Sequence, residues 1–190
     1  MLDKVVFLNA KNATFRIHSK CLKKMSDELY KQSELTDNVW LEKFDKRVVK
    51  IALKFALNPK KYENQLLSRD LRFNVIKFAA KFNFPTKITE KMLNPGIYVK
   101  LIEYAEDTLN EYLMDLLPKA FDKFPEVERY PEFLKINERK RNKFLAARDA
   151  NRKKVAKVNS VMEKTQSAII IIVILLSYYP SDTFLGRFLR

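Results

Sequence analysis

Glycine, histidine and cysteine are nearly missing from this 190-residue chain, which holds two Gly, one His and one Cys. With only Gly96 and Gly186, no glycine-rich loop of the kind that cradles phosphates or dinucleotides can form. His18 and Cys21 cannot by themselves assemble a Cys/His zinc site, and a single cysteine closes no intrachain disulfide. A Ser-His-Asp or Cys-His constellation would have to be built on His18, and no nucleophile or orienting carboxylate stands beside it in sequence. No catalytic residue, cofactor site or metal site is therefore expected. Hydrophobic residues, by contrast, make up 47% of the chain and include 14 Phe and 8 Tyr, enough for a sizeable core.

The formal charge of +14 is unevenly placed. Residues 1–134 hold 24 basic and 19 acidic groups, an ordinary balance, whereas residues 135–164 hold 11 basic and 3 acidic groups. A boundary is expected near Pro131, with a basic helical or linker segment over 132–164. Its two clusters are Arg139, Lys140, Arg141 and Lys143, then Arg152, Lys153, Lys154 and Lys157. Such a patch suits anionic lipid next to a membrane, nucleic-acid phosphates, or plain solvation of a charged helix. Phe144 is the lone aromatic from Arg139 to Lys157, so base stacking has no platform.

No secretory signal is expected at the start, because Val5–Leu8 is too short an apolar run. Residues 165–190 form an apolar tail. The 17 uncharged residues between Lys164 and Asp182 include Ile169, Ile170, Ile171, Ile172, Val173, Ile174, Leu175 and Leu176. As a helix they would span roughly 25 Å, the lower limit for crossing a bilayer. The expectation is a single-pass C-terminal anchor with the N-terminal bulk in the cytoplasm, the basic block forming the cytoplasmic flank. The alternative is a buried strand or core helix in a cytoplasmic or nuclear protein, since the run is rich in β-branched residues.

Between these ends the pattern predicts an α+β arrangement, a small three-stranded sheet covered by a helical cluster. Lys4–Leu8 and Ala13–Ile17 flank a turn at Asn9–Asn12 and read as a hairpin, and Asn38–Leu41 reads as a third strand. Ser19 is placed to cap a helix carrying Leu22, Met25 and Leu29, Asp45 one carrying Val48 to Ala56, and Ser68 one carrying Leu71 to Phe82. Thr86 opens a short helix to Met92. One long helix is then expected from Ile97, with an apolar stripe from Leu101 to Leu117 that ends before Pro118. Glu103, Asp107 and Glu111 would lie along one solvated face of it. Trp40 alternates away from Val39 and Leu41, which makes it either a candidate interface anchor or a core residue under the following helix.

The spacing of Phe15, His18, Leu22, Ser26 and Leu29, with correct element order on both sides, resembles the BTB/POZ signature that joins the second strand to the first helix. The resemblance covers residues 3–93 as a BTB/POZ-like domain, with 94–131 as a helical extension. It implies a non-enzymatic protein-binding module that self-associates or serves as substrate adaptor for a cullin-based ubiquitin ligase. It also implies that His18 packs and caps at the junction. Cys21, on the same helix, reads as a small, partly buried side chain. Members that bind a third-class cullin carry an apolar-x-Glu motif before the third strand, where this chain has Leu35-Thr36-Asp37. Leu35, Asp37 and Trp40 thus form the candidate interface. A Skp1-like adaptor, which shares the fold, and a nuclear BTB-type factor that binds nucleic acid through the basic segment remain the rival readings.

Overall fold

Two apolar runs separated by Lys11-Asn12 pair as an antiparallel hairpin, β1 (Val5–Ala10) and β2 (Ala13–His18), with Val6 opposite Ile17 and Leu8 opposite Phe15. In the computed structural model, which describes residues 4–41, 43–58 and 67–178, β3 (Asn38–Leu41) joins the other side of β1 in parallel. The strand order is β2-β1-β3, so the sheet is mixed and β1 lies at its centre. One face buries Val6, Leu8, Val39 and Leu41 against the helices, which gives the expected α+β arrangement.

The chain reaches β3 through two helices, α1 (Ser19–Met25) and α2 (Asp27–Leu35), where the apolar spacing suggested one. Ser26 breaks them apart. Its backbone is extended, its Oγ accepts the Leu29 N–H at 3.0 Å, and its hydroxyl donates to the Phe82 carbonyl at the end of a later helix. Leu22, Met25 and Leu29 keep their inward spacing across the break, so the periodicity conceals it. Ser19 begins α1 without capping it. Its N–H donates to the Lys4 carbonyl (2.9 Å) and its Oγ accepts the Lys4 N–H (3.3 Å), extending the hairpin by one step.

α3 (Lys46–Leu57) starts at Asp45, whose carboxylate accepts the Arg47 N–H at 2.7 Å, and buries Val48, Val49, Ala52, Leu53 and Phe55. α4 (Arg69–Lys81) starts at Ser68 and buries Val75, Ile76, Phe78 and Ala79. Asn83, at φ 49°, closes α4 in the left-handed region, with the Phe84 N–H returning to the Ala79 carbonyl. α5 (Thr86–Met92) follows.

The single long helix expected beyond Ile97 is two. α6 (Pro95–Asp107) ends in a left-handed residue, Leu109 (φ 50°), and α7 (Glu111–Ala120) restarts at Asn110, whose side chain caps Leu113. The Asn110 N–H reaches the Ala105 carbonyl and the Leu109 N–H the Glu106 carbonyl, the bonding of a Schellman stop. Glycine normally takes the Leu109 position, and its absence removed the signal. Glu111 therefore lies on a different helix from Glu103 and Asp107, which corrects the one-face reading. Pro118 sits inside α7 instead of ending it.

Two 3₁₀ turns (Phe121–Lys123 and Pro125–Arg129), α8 (Pro131–Lys135) and α9 (Glu138–Tyr178) complete the described chain. The chain divides into two units, Met1–Leu145 and Ala146–Arg190. The change of material expected near Pro131 comes later, because Phe133, Ile136 and Phe144 are core residues of the first unit. Buried Tyr98 centres that part of the core. Its ring lies 5.7 Å from Phe121 and 6.5 Å from Phe144, and its hydroxyl donates to the Leu117 carbonyl. Burial pushes the Tyr98 phenol well above its usual ionisation range.

In the second unit α9 carries Val155 to Ile174 with their side chains largely exposed. Among the described residues no helix is long and apolar enough to cross a membrane. The apolar run is helical as far as Tyr178, and the part of the candidate span beyond it lies outside the described residues.

Candidate functional site: the open face of the sheet

Strand alternation leaves a second face to the sheet. It carries Val5, Phe7 and Asn9 of β1, Thr14, Arg16 and His18 of β2, and Asn38 and Trp40 of β3. Trp40 is 67% exposed and Phe7 38%. In register Trp40 lies beside Asn9 on the edge strand, while Phe7 stands between Arg16 and Asn38. A polar ladder crosses all three strands between these aromatics. The Thr14 hydroxyl donates to Asn9 Oδ1 at 2.8 Å, and Asn9 Nδ2 donates to Asn38 Oδ1 at 3.3 Å.

Beside this face, α2 delivers Leu35 at its last residue with 90% of its surface exposed. Thr36 ends the helix, its Oγ1 accepting the Asn38 N–H at 3.1 Å. Asp37 leads into β3, its carbonyl accepting the Phe7 N–H at 2.7 Å and its carboxylate meeting Lys4 Nζ at 2.8 Å. The three candidate interface residues thus occupy one short stretch at the edge of the sheet. Two of them present apolar surface, and the third is already ion-paired within the chain.

The signature residues divide by role. Leu22, Ser26 and Leu29 are buried and Phe15 is half-buried against the core, so these four hold the fold. His18 departs from expectation. It is exposed, stands at the N-cap of α1 and makes no side-chain cap there, because its alternation in β2 turns it to the open face. Cys21 is half-buried.

The basic patch divides between the two units. Lys143 Nζ meets Glu106 at 3.0 Å, Lys140 pairs with Asp107, and Arg141 donates to the Leu134 carbonyl at 2.7 Å, all within the first unit. The Asp107 hydrogen bond raises the Lys140 pKa, so the ammonium is held there. These contacts commit Lys140, Arg141 and Lys143 of the first cluster to the helical layer. Arg152, Lys153, Lys154 and Lys157 of the second cluster are exposed on the second unit, with Arg139 exposed on the first.

A depression of about 450 Å³ beside the hairpin is lined by Lys4, Ser19, Lys23, Tyr30 and Glu34, with Lys23 Nζ 5.4 Å from the Tyr30 ring centre. Sequence reasoning found Trp40 but passed over Phe7, Arg16 and the ladder. Val5–Leu8 is apolar throughout, so its parity is set only by pairing with β2. The chain matches no protein-family model, and a search of the curated proteins finds no relative.

Proposed function

We propose that this chain is a non-enzymatic protein-docking module of BTB/POZ type that seats a partner on the open face of its sheet. The observation that carries this reading is the exposed Trp40 on an edge strand, on the same sheet face as Phe7 and five residues after the exposed Leu35. A large aromatic flanked by apolar and satisfied polar groups is the usual composition of an interaction hot spot. The element order and the inward-facing Phe15, Leu22, Ser26 and Leu29 support the family reading. The partner class that follows from it is a third-class cullin, which would meet Leu35, Asp37 and Trp40 as the chain turns from α2 into β3. To accept a basic partner group Asp37 must exchange its contact with Lys4, an exposed pair that costs under about 1 kcal/mol to break.

The test is biolayer interferometry of the full chain against the N-terminal domain of a third-class cullin, with Trp40→Ala and Leu35→Asp alongside. Saturable binding that either substitution weakens roughly tenfold or more is expected. No binding by the wild-type chain removes the cullin adaptor role. Binding that is indifferent to Trp40 and Leu35 removes the docking face.

A further inference from the structure

The second unit holds a pattern that the docking reading does not use. Along α9, Val155, Val158, Met162, Thr165, Ile169 and Ile172 follow one another at alternating spacings of three and four residues, and the next step in sequence is Leu176. That is a heptad seam of three repeats, with Val155, Met162 and Ile169 at the first core position and Val158, Thr165 and Ile172 at the second. Every apolar member from Val155 to Ile172 is more than half exposed in the single chain. In the segment before Lys164, otherwise dominated by charge, Val155, Val158, Val161 and Met162 are the large apolar residues, and all four lie on or next to this stripe.

We infer that α9 is completed by further copies of this chain, as a parallel three-stranded coiled coil running from Val155 to Ile172. Charge placement admits like copies as the occupant. Lys153, Lys157, Glu163 and Lys164 all fall outside the positions that flank the seam. In a parallel assembly the flanking pairs are Lys154 with Asn159, Val161 with Gln166, and Ala168 with Val173, so no like charges oppose each other. Three strands follow from the core itself. β-Branched residues stand at both core positions (Val155 and Ile169, Val158 and Ile172), the combination that disfavours two strands. Val161 and Val173 widen the stripe in the same direction. Thr165, the one polar core residue, donates its hydroxyl to the Val161 carbonyl at 2.9 Å and enters the seam with its hydrogen bond made. Ile170, Ile171 and Ile174 lie off the seam, which is where a bilayer would compete for the tail.

The assembly is independent of which partner the sheet binds. It would present three sheet faces together and so raise the apparent affinity for a multivalent partner.

The experiment is sedimentation equilibrium of the full chain in a neutral, density-matched detergent at physiological salt. The detergent keeps the apolar tail soluble under either outcome. The expected protein mass is three times the 22.5 kDa chain. Met162→Lys, in the seam but away from the uncharged run, should lower it threefold. Ser160→Lys, on the outer side of the same helix turn, should leave the trimer intact. Circular dichroism checks that the first unit is folded in both variants. A wild-type monomer, any other stoichiometry, or a trimer indifferent to Met162→Lys overturns the inference. A monomer whose tail inserts into phosphatidylcholine vesicles assigns the run to the bilayer.

Discussion

Replacing Ser26 by alanine tests how the helical layer is fastened to itself. Its Oγ does two things at once, capping α2 through the Leu29 N–H and donating to the carbonyl of Phe82, 56 residues away. Losing an N-cap costs about 1 kcal/mol. A buried carbonyl deprived of its donor costs about 1–3 kcal/mol more. Ser26 is 2% exposed, so water does not readily replace the hydroxyl. The expected loss is therefore about 2–4 kcal/mol, which at a urea slope of about 2 kcal/mol per molar moves the midpoint down by about 1–2 M. Ser33→Ala is the matched control. Ser33 is equally buried, yet its hydroxyl only doubles a bond inside its own helix, to the Tyr30 carbonyl at 2.6 Å. Its loss should cost roughly 0.5 kcal/mol or less, offset by the better helix propensity of alanine. Urea titrations of both variants, followed at 222 nm, read the difference. Equal midpoints for the two variants would refute the tie between α2 and the end of α4.

Two further predictions follow from the backbone and the core. Leu109→Gly should stabilise the protein by about 1 kcal/mol, because glycine adopts the left-handed stop without the Cβ penalty and Leu109 is 72% exposed, so little packing is lost; a rise in Tm checks it. Alkaline pH should destabilise the fold through Tyr98. Burial raises its pKa in the folded state, so the unfolded chain releases the proton first. The Tyr98 contribution is then full below about pH 10 and falls by about 1.4 kcal/mol per pH unit above it; Tyr112, also raised by burial, adds to the slope, which Tyr98→Phe should lessen in urea titrations across that range.

The sequence made the hairpin, β3 and the starts of α3 and α4 legible, because alternation and the capping residues Asp45 and Ser68 mark them locally. The breaks at Ser26 and Leu109 were hidden for different reasons. At Ser26 both flanking helices face the same core, so the apolar period runs through undisturbed. At Leu109 the chain stops a helix without the glycine or asparagine that advertises such stops, as Asn83 does after α4. Phe144 was lost among lysines and arginines because composition averages over a segment, whereas burial is decided residue by residue. Trp40 was readable from the parity of β3. Phe7, Arg16 and the ladder required the register of β1 against both neighbours, which no local pattern contains.

The ladder has a consequence for what can cover the sheet. Polar groups on an unoccupied surface normally resist an apolar partner, because each loses its water and receives nothing in return. Thr14, Asn9 and Asn38 already exchange hydrogen bonds across the three strands, so part of that dehydration penalty is met before any partner arrives. A hydrophobic surface can lie over the middle of the sheet without bringing matching donors. A partner seated on such a face, as proposed, would be selected by its shape against Trp40 and Phe7 more than by its hydrogen-bonding pattern.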